Sequence, residues 1–181
     1  MPASRRASPG SSRARANPAT SPLDASLFFK LVRLVNITAR PFTEHVGREQ
    51  HLALNDWRVM MVVANHPGIT ATEVCQRTGM DKMSMSRAVA ALAARKRLLR
   101  LADANDGRRA LLRLSSAGAR LYQRIAATAR VRERQLFDGI GEEETARLSA
   151  TLDHLIDRLN SVDEEAEERP QADDIRRPPP G

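Results

Sequence analysis

One stretch, Asp81–Leu114, narrows what this chain can fold into more than any other: a helix-forming run that passes directly into a hairpin-forming run. The first part reads DKMSMSRAVAALAARK. Asp81 is suited to cap a helix N-terminus, because its carboxylate can accept the free N–H groups of the first turn. Met85, Val89 and Leu92 recur at i, i+4 and i+7 and define one apolar face. At about 100° per residue, Met83, Arg87, Ala90 and Ala94 fall on the opposite face. Ser84 and Ser86 flank that face, and Lys82 lies in the first turn. Such a surface suits a DNA major groove, with Lys82 and the serines on phosphates and Arg87 on base edges. An amphipathic helix with a solvated charged side is the plain alternative.

The second part weighs against that alternative. Leu98–Leu101 and Arg109–Leu114 are short apolar runs with strand-like spacing, separated by turn formers that end Asp106-Gly107-Arg108-Arg109. Upstream, Thr70-Ala-Thr-Glu73 is a capping box opening a short helix over Ala71–Thr78, and Gly79-Met80 turns the chain into Asp81. A short helix, a glycine turn, a second helix and a cation-tipped hairpin describe a winged helix-turn-helix. The expected fold is mainly α with a small β-wing.

The charge distribution agrees. Lys and Arg number 29 against 22 acids, a formal net charge of +7, and Arg77 to Arg113 alone hold ten basic residues against three acids. A basic patch on one supersecondary unit calls for a polyanion partner. None of the few aromatic residues lies in it, so stacking platforms for single strands are missing and double-stranded DNA is the expected partner. A single cysteine, Cys75, excludes an internal disulfide and a cysteine-based zinc site, and fits a cytoplasmic setting. No apolar run approaches about 18 residues, so no membrane span is expected.

Residues 1–20 read as a disordered basic tail and residues 163–181 as a disordered acidic, proline-rich one. Between them lies one domain, 21–162, with a DNA-binding lobe over about 55–114 and dimerisation helices over about 21–50 and 115–162. Ser21-Pro22-Leu23-Asp24 should start the first helix, Pro41 should kink or interrupt it, and a further helical segment should follow over Phe42–Gln50. Asn55 should cap the second helix, with Trp57, Met60, Met61 and Ala64 inward. Ser115 should cap a long helix that breaks at Gly139–Gly141, and a last helix begins at Glu142–Glu144. The terminal helices carry more apolar surface than one small core uses, which points to a homodimer. Two-fold symmetry would place two recognition helices about 34 Å apart on a palindromic site.

The run Trp57…Gly79-Met80-Asp81…Ser84…Ser86-Arg87…Leu98-Leu99-Arg100…Asp106-Gly107-Arg108-Arg109…Leu114-Ser115…Gly118 resembles the MarR family of bacterial transcriptional regulators. The resemblance implies a dimeric DNA-binding regulator, most often a repressor, released by a small aromatic acid or phenolic effector. It implies that Asp106 holds the wing, that Arg108 enters the minor groove and that Arg109 meets the backbone. The DNA-contact set is then Lys82, Met83, Ser84, Ser86, Arg87, Asp106, Arg108 and Arg109.

His45, His51, Trp57 and Arg58 are the candidate effector site, arginine pairing with a carboxylate and histidine with a ring substituent. His45, His51 and Glu49 match no firm metal pattern, and no metal or cofactor is expected. Cys75 reads as a structural thiol ahead of a redox switch. A protein-binding winged-helix scaffold is the competing function. An enzyme is not expected, for want of a phosphate loop, a nucleophile–base pair or a metal motif.

Overall fold

The structure is a computed structural model that describes residues 22–167 except 105 and 108. The expected tail over residues 1–20 lies outside the described residues. The chain falls into two compact units, one ending at Ile125 and the other starting at Ala126.

In the first unit a short 3-10 turn, Leu23–Ala25, precedes α1, Leu27–Pro41. The cap of α1 is Ser26, whose hydroxyl accepts the Phe29 N–H at 3.1 Å, and not the expected Ser21-Pro22 start. Pro41 is the last residue of α1, so the α-helix is interrupted there as expected, while the chain stays helical beyond it. The turns after it widen into a π-helical stretch, Phe42–Gly47, before a last α-turn, Arg48–Gln50, ends at His51 in the left-handed conformation. Widening the turn accommodates a residue that has no N–H to donate and a ring that crowds the preceding turn.

The helix α2, Leu54–Asn65, begins one residue ahead of Asn55. The Asp56 carboxylate reaches back to accept the Ala53 N–H at 3.0 Å, so Asp56 closes the first turn, and Asn55 instead accepts from Arg58. The inward set is Asp56, Trp57, Val59, Met60 and Val63, and Met61 faces outward, contrary to the expected stripe. Strand β1, Ile69–Thr70, leads into α3, Ala71–Thr78, then α4, Lys82–Ala94. Gly79 makes the left-handed turn between these helices at φ 64°, a conformation costly for any side chain with a Cβ.

Strands β2, Leu98–Ala102, and β3, Ala110–Leu114, form the hairpin in antiparallel register, Leu98 opposite Leu114 and Ala102 opposite Ala110. Strand β1 pairs on the other edge of β3, giving a three-stranded sheet in the order β1-β3-β2. Sequence reasoning missed β1, because two residues are too few to show a period. The core gathers Val59, Met60, Val63, Val74, Met85, Val89, Leu92, Leu98 and Leu112, each almost fully buried. Leu121 and Ile125, on the first half of α5, Ser116–Leu136, are buried as well. Ser115 caps α5 by accepting the Gly118 N–H at 3.0 Å.

The second unit holds the end of α5 and α6, Glu142–Glu167. The last helix therefore runs past Asp163, where the acidic tail was expected to begin. Leu148, Leu152, Ile156, Leu159 and Val162 are exposed along it. In the first unit Leu27, Phe28, Val35 and Ile37 of α1 are exposed, Phe28 at 77%.

Candidate nucleic-acid interface

Asp81 caps α4 by accepting the Ser84 N–H at 2.8 Å. The Ser84 hydroxyl and N–H together hold the Asp81 carboxyl below its ordinary range. Ser84 is half-buried and engaged with this cap, so it sits less openly than expected for a phosphate contact. Lys82, Met83, Ser86 and Arg87 are all exposed, as are Ala90 and Ala94 farther along the helix. Met85, Ala88, Val89 and Leu92 fill the opposite face, which leaves the outward face free of core duties. A methionine 67% exposed at the start of this face is a cost in water that contact with a base edge or a thymine methyl would relieve.

At the wing tip the Asp103 N–H donates to the Arg109 carbonyl at 3.1 Å, and the Arg109 N–H donates to the Asp106 carbonyl at 2.9 Å. These bonds fold the loop back on itself and leave the Asp106, Gly107 and Arg109 side of the tip exposed. Arg108, the expected minor-groove residue, lies outside the described residues. Arg100 and Arg113 add exposed cations on the strands. Behind the tip, Glu73 closes the capping box on Thr70, and hydrogen bonds from the Thr70 hydroxyl and N–H hold its carboxyl below the ordinary range, with a smaller contribution from Arg109.

Beside the outward face of α4 lies a cleft of about 620 Å³. One wall comes from the end of the helical run after α1, with Arg48 and His51, and from the start of α2, with Asn55, and the other from α4 and its C-cap, with Ser84, Arg87 and Arg95. Ala91 keeps the α4 wall low between its two arginines. Asp56 is buried beneath the cleft; burial pushes its carboxyl up, opposed by the Ala53 hydrogen bond and by Arg95 and Arg97. Three exposed guanidinium groups around one opening suit a small carboxylate.

Of the four candidate effector residues, only His51 lines this cleft. His45 is exposed on the π-helical stretch, and Arg58 is half-buried and donates to Asn55 at 3.0 Å. Trp57 is a core residue, stacked between Phe42 at 6.0 Å and Tyr122 at 5.5 Å between ring centroids. Sequence reasoning missed Arg95. Stepping by four from Arg87 through Ala91 would have reached it. Burial raises the Cys75 thiol above its ordinary range, which favours the protonated, unreactive form. Among the described residues no cluster of His, Cys, Asp or Glu is arranged to hold a metal ion, and no helix is long and apolar enough to cross a membrane.

Residues 52–109 match the family model described as the MarR family. No curated protein matches the sequence. Among solved structures, the chain resembles the PcaV transcriptional regulator from Streptomyces coelicolor, solved with its natural ligand, at 23% identity and TM-score 0.66, over 76% of this chain and 96% of that one. A probable transcriptional regulator from Pseudomonas aeruginosa is 28% identical at TM-score 0.62, over 74% of this chain and 99% of that one. BpsR from Bordetella bronchiseptica, whose DNA binding is regulated by 6-hydroxynicotinic acid, is 18% identical at TM-score 0.65, over 75% and 96%. Residues 52–109 thus match the MarR family model, and the chain has the fold of solved winged-helix transcriptional regulators, MarR family members among them.

Proposed function

We propose that this protein is a homodimeric, DNA-binding transcriptional repressor, released from a palindromic operator by a small aromatic carboxylate or phenol. The observation that carries the reading is the outward face of α4, where Lys82, Met83, Ser86 and Arg87 stand exposed above a fully packed inner face. Beside them stands a wing whose tip presents Arg109. In this reading Arg87 meets base edges, Lys82 and Ser86 meet phosphates, and the wing, with Arg108 and Arg109, meets the adjoining minor groove or backbone. The exposed apolar stripes of α1 and α6 are each offered to a second copy of the chain.

The cleft with Arg48, Arg87 and Arg95 supports an anionic effector, and the regulation of BpsR by an aromatic acid supports its class. A carboxylate seated there would draw on Arg87, a residue the DNA also needs. Fluorescence anisotropy with the duplex upstream of the protein's own gene tests the reading. Arg87→Ala and Arg108→Ala should each weaken binding about tenfold or more. Wild-type affinity in both variants overturns the assignment. Absence of any duplex binding at moderate salt favours an acidic protein partner instead.

A further inference from the structure

Four elements meet at Arg97. Its N–H donates to the Leu92 carbonyl at 2.9 Å and closes the end of α4 around Lys96, which is left-handed at φ 55°. Its carbonyl starts β2, accepts the Ser115 N–H at 3.0 Å, and lies so close to Gly118 of α5 that a Cβ there would collide with it. The Ser115 hydroxyl donates to the Lys96 carbonyl at 2.7 Å. The side chain points the other way: one guanidinium nitrogen donates to the Gln50 carbonyl at 2.6 Å, and the other to the His51 carbonyl at 3.4 Å. Those are the last carbonyls of the helical run that follows α1, which no later turn of that run can satisfy.

His51 and Lys96 are the two non-glycine residues with positive φ among the described residues, and they stand at the two ends of this link. Side chains rarely hold that conformation unless their surroundings over-determine it. The link therefore joins two chain reversals that each need support. It also joins the two sides of the cleft, because His51 belongs to one wall and α4 forms the other. A planar fork on adjacent carbonyls transmits rotation as well as distance, which a lysine point charge would not.

We propose that Arg97 is a positioning residue that couples the cleft wall at 47–53 to the DNA-reading helix and wing. A shift of that wall passes through the guanidinium to the α4–β2 junction and changes how tightly α4 and the wing hold DNA. The proposal rests on the DNA-binding reading above, and its experiment separates the two. Gly47→Ala moves the wall, because the new Cβ would lie 2.9 Å from the Leu52 carbonyl oxygen and 3.2 Å from that of Phe42. In the full-length chain, Gly47→Ala should weaken binding of the upstream duplex about tenfold, but less than about twofold in an Arg97→Gln background. Amide exchange of residues 98–102, followed by mass spectrometry without DNA, should rise with Gly47→Ala only when Arg97 is present. Equal effects in both backgrounds, or exchange in β2 indifferent to Gly47→Ala, overturn the proposal. If the wild-type chain binds no duplex, the DNA reading falls and the exchange experiment alone decides Arg97. Should Arg97→Gln not fold, Arg97→Lys replaces it, with the Gly47→Ala effect expected to drop to about threefold.

Discussion

Asp56 is a carboxylate that folding makes harder to ionise, because burial outweighs the Ala53 hydrogen bond and the nearby arginines. A carboxyl raised in the folded state binds its proton more tightly there, so its contribution to stability is complete below the ordinary value of 3.8 and is lost as pH rises through the raised one. Asp56→Asn keeps an acceptor for Ala53 and abolishes this titration. The melting temperature of the variant relative to wild type should climb as pH is taken from 3.5 upward through that window, read by circular dichroism. Glu73 and Asp81 act in the opposite sense. Their lowered carboxyls contribute stability present above the ordinary values of 4.5 and 3.8 and lost on acidification. A second prediction concerns Cys75, half-buried with its thiol pushed up. Ellman's reagent should label it far more slowly in the native chain than in guanidinium, and mild peroxide should leave duplex affinity unchanged. The side chains of the α4 face were legible in the sequence because a helix repeats its faces every few residues. Arg97 was not, since its partner at Gln50 is 47 positions away and nothing local marks it.

Among the elements, capping chemistry carried most of the legible information. The capping box at Thr70 and Glu73, the caps at Asp81 and Ser115 and the strand runs of the hairpin each declare themselves within four or five residues. Where two local signals competed, the sequence misled. Asn55 is the better capping residue by type, yet Ala53 holds the cap position with Asp56 reaching back to its N–H, and Met61 stands outward. Pro41 was expected to kink or interrupt its helix, and α1 does end there; the π-helical form of the stretch that follows was not legible. The tight approach of α5 to the α4–β2 junction yields a further prediction. Gly118→Ala sets a methyl against a backbone carbonyl that is itself hydrogen-bonded, so neither side can yield cheaply. The substitution should cost about 1–3 kcal/mol and lower the melting temperature by roughly 5 °C.

The charge of the whole molecule and its bare apolar surfaces set the remaining predictions. The net charge of +7 is concentrated in the helix-turn-helix and wing, so duplex affinity should fall steeply with salt, with a slope near −0.9 for each phosphate neutralised. Arg87→Ala should lower affinity and relax base preference without moving that slope by more than about one. Leu27→Glu with Phe28→Glu on α1, or Ile156→Glu with Leu159→Glu on α6, should convert the proposed dimer to a monomer in analytical ultracentrifugation and abolish duplex binding at working concentrations. A wild-type chain sedimenting as a monomer at tens of micromolar overturns the proposed assembly.

The stripe on α1 also shapes how the chain is made. Ribosomes add about 5–20 residues per second, so Leu27, Phe28 and Val35 are made several seconds before the chain is finished, and they stay exposed in it. That apolar ridge is open to chaperones and to neighbouring nascent chains on the same message. Overexpression should therefore send this protein into inclusion bodies sooner than its charge alone would lead one to expect.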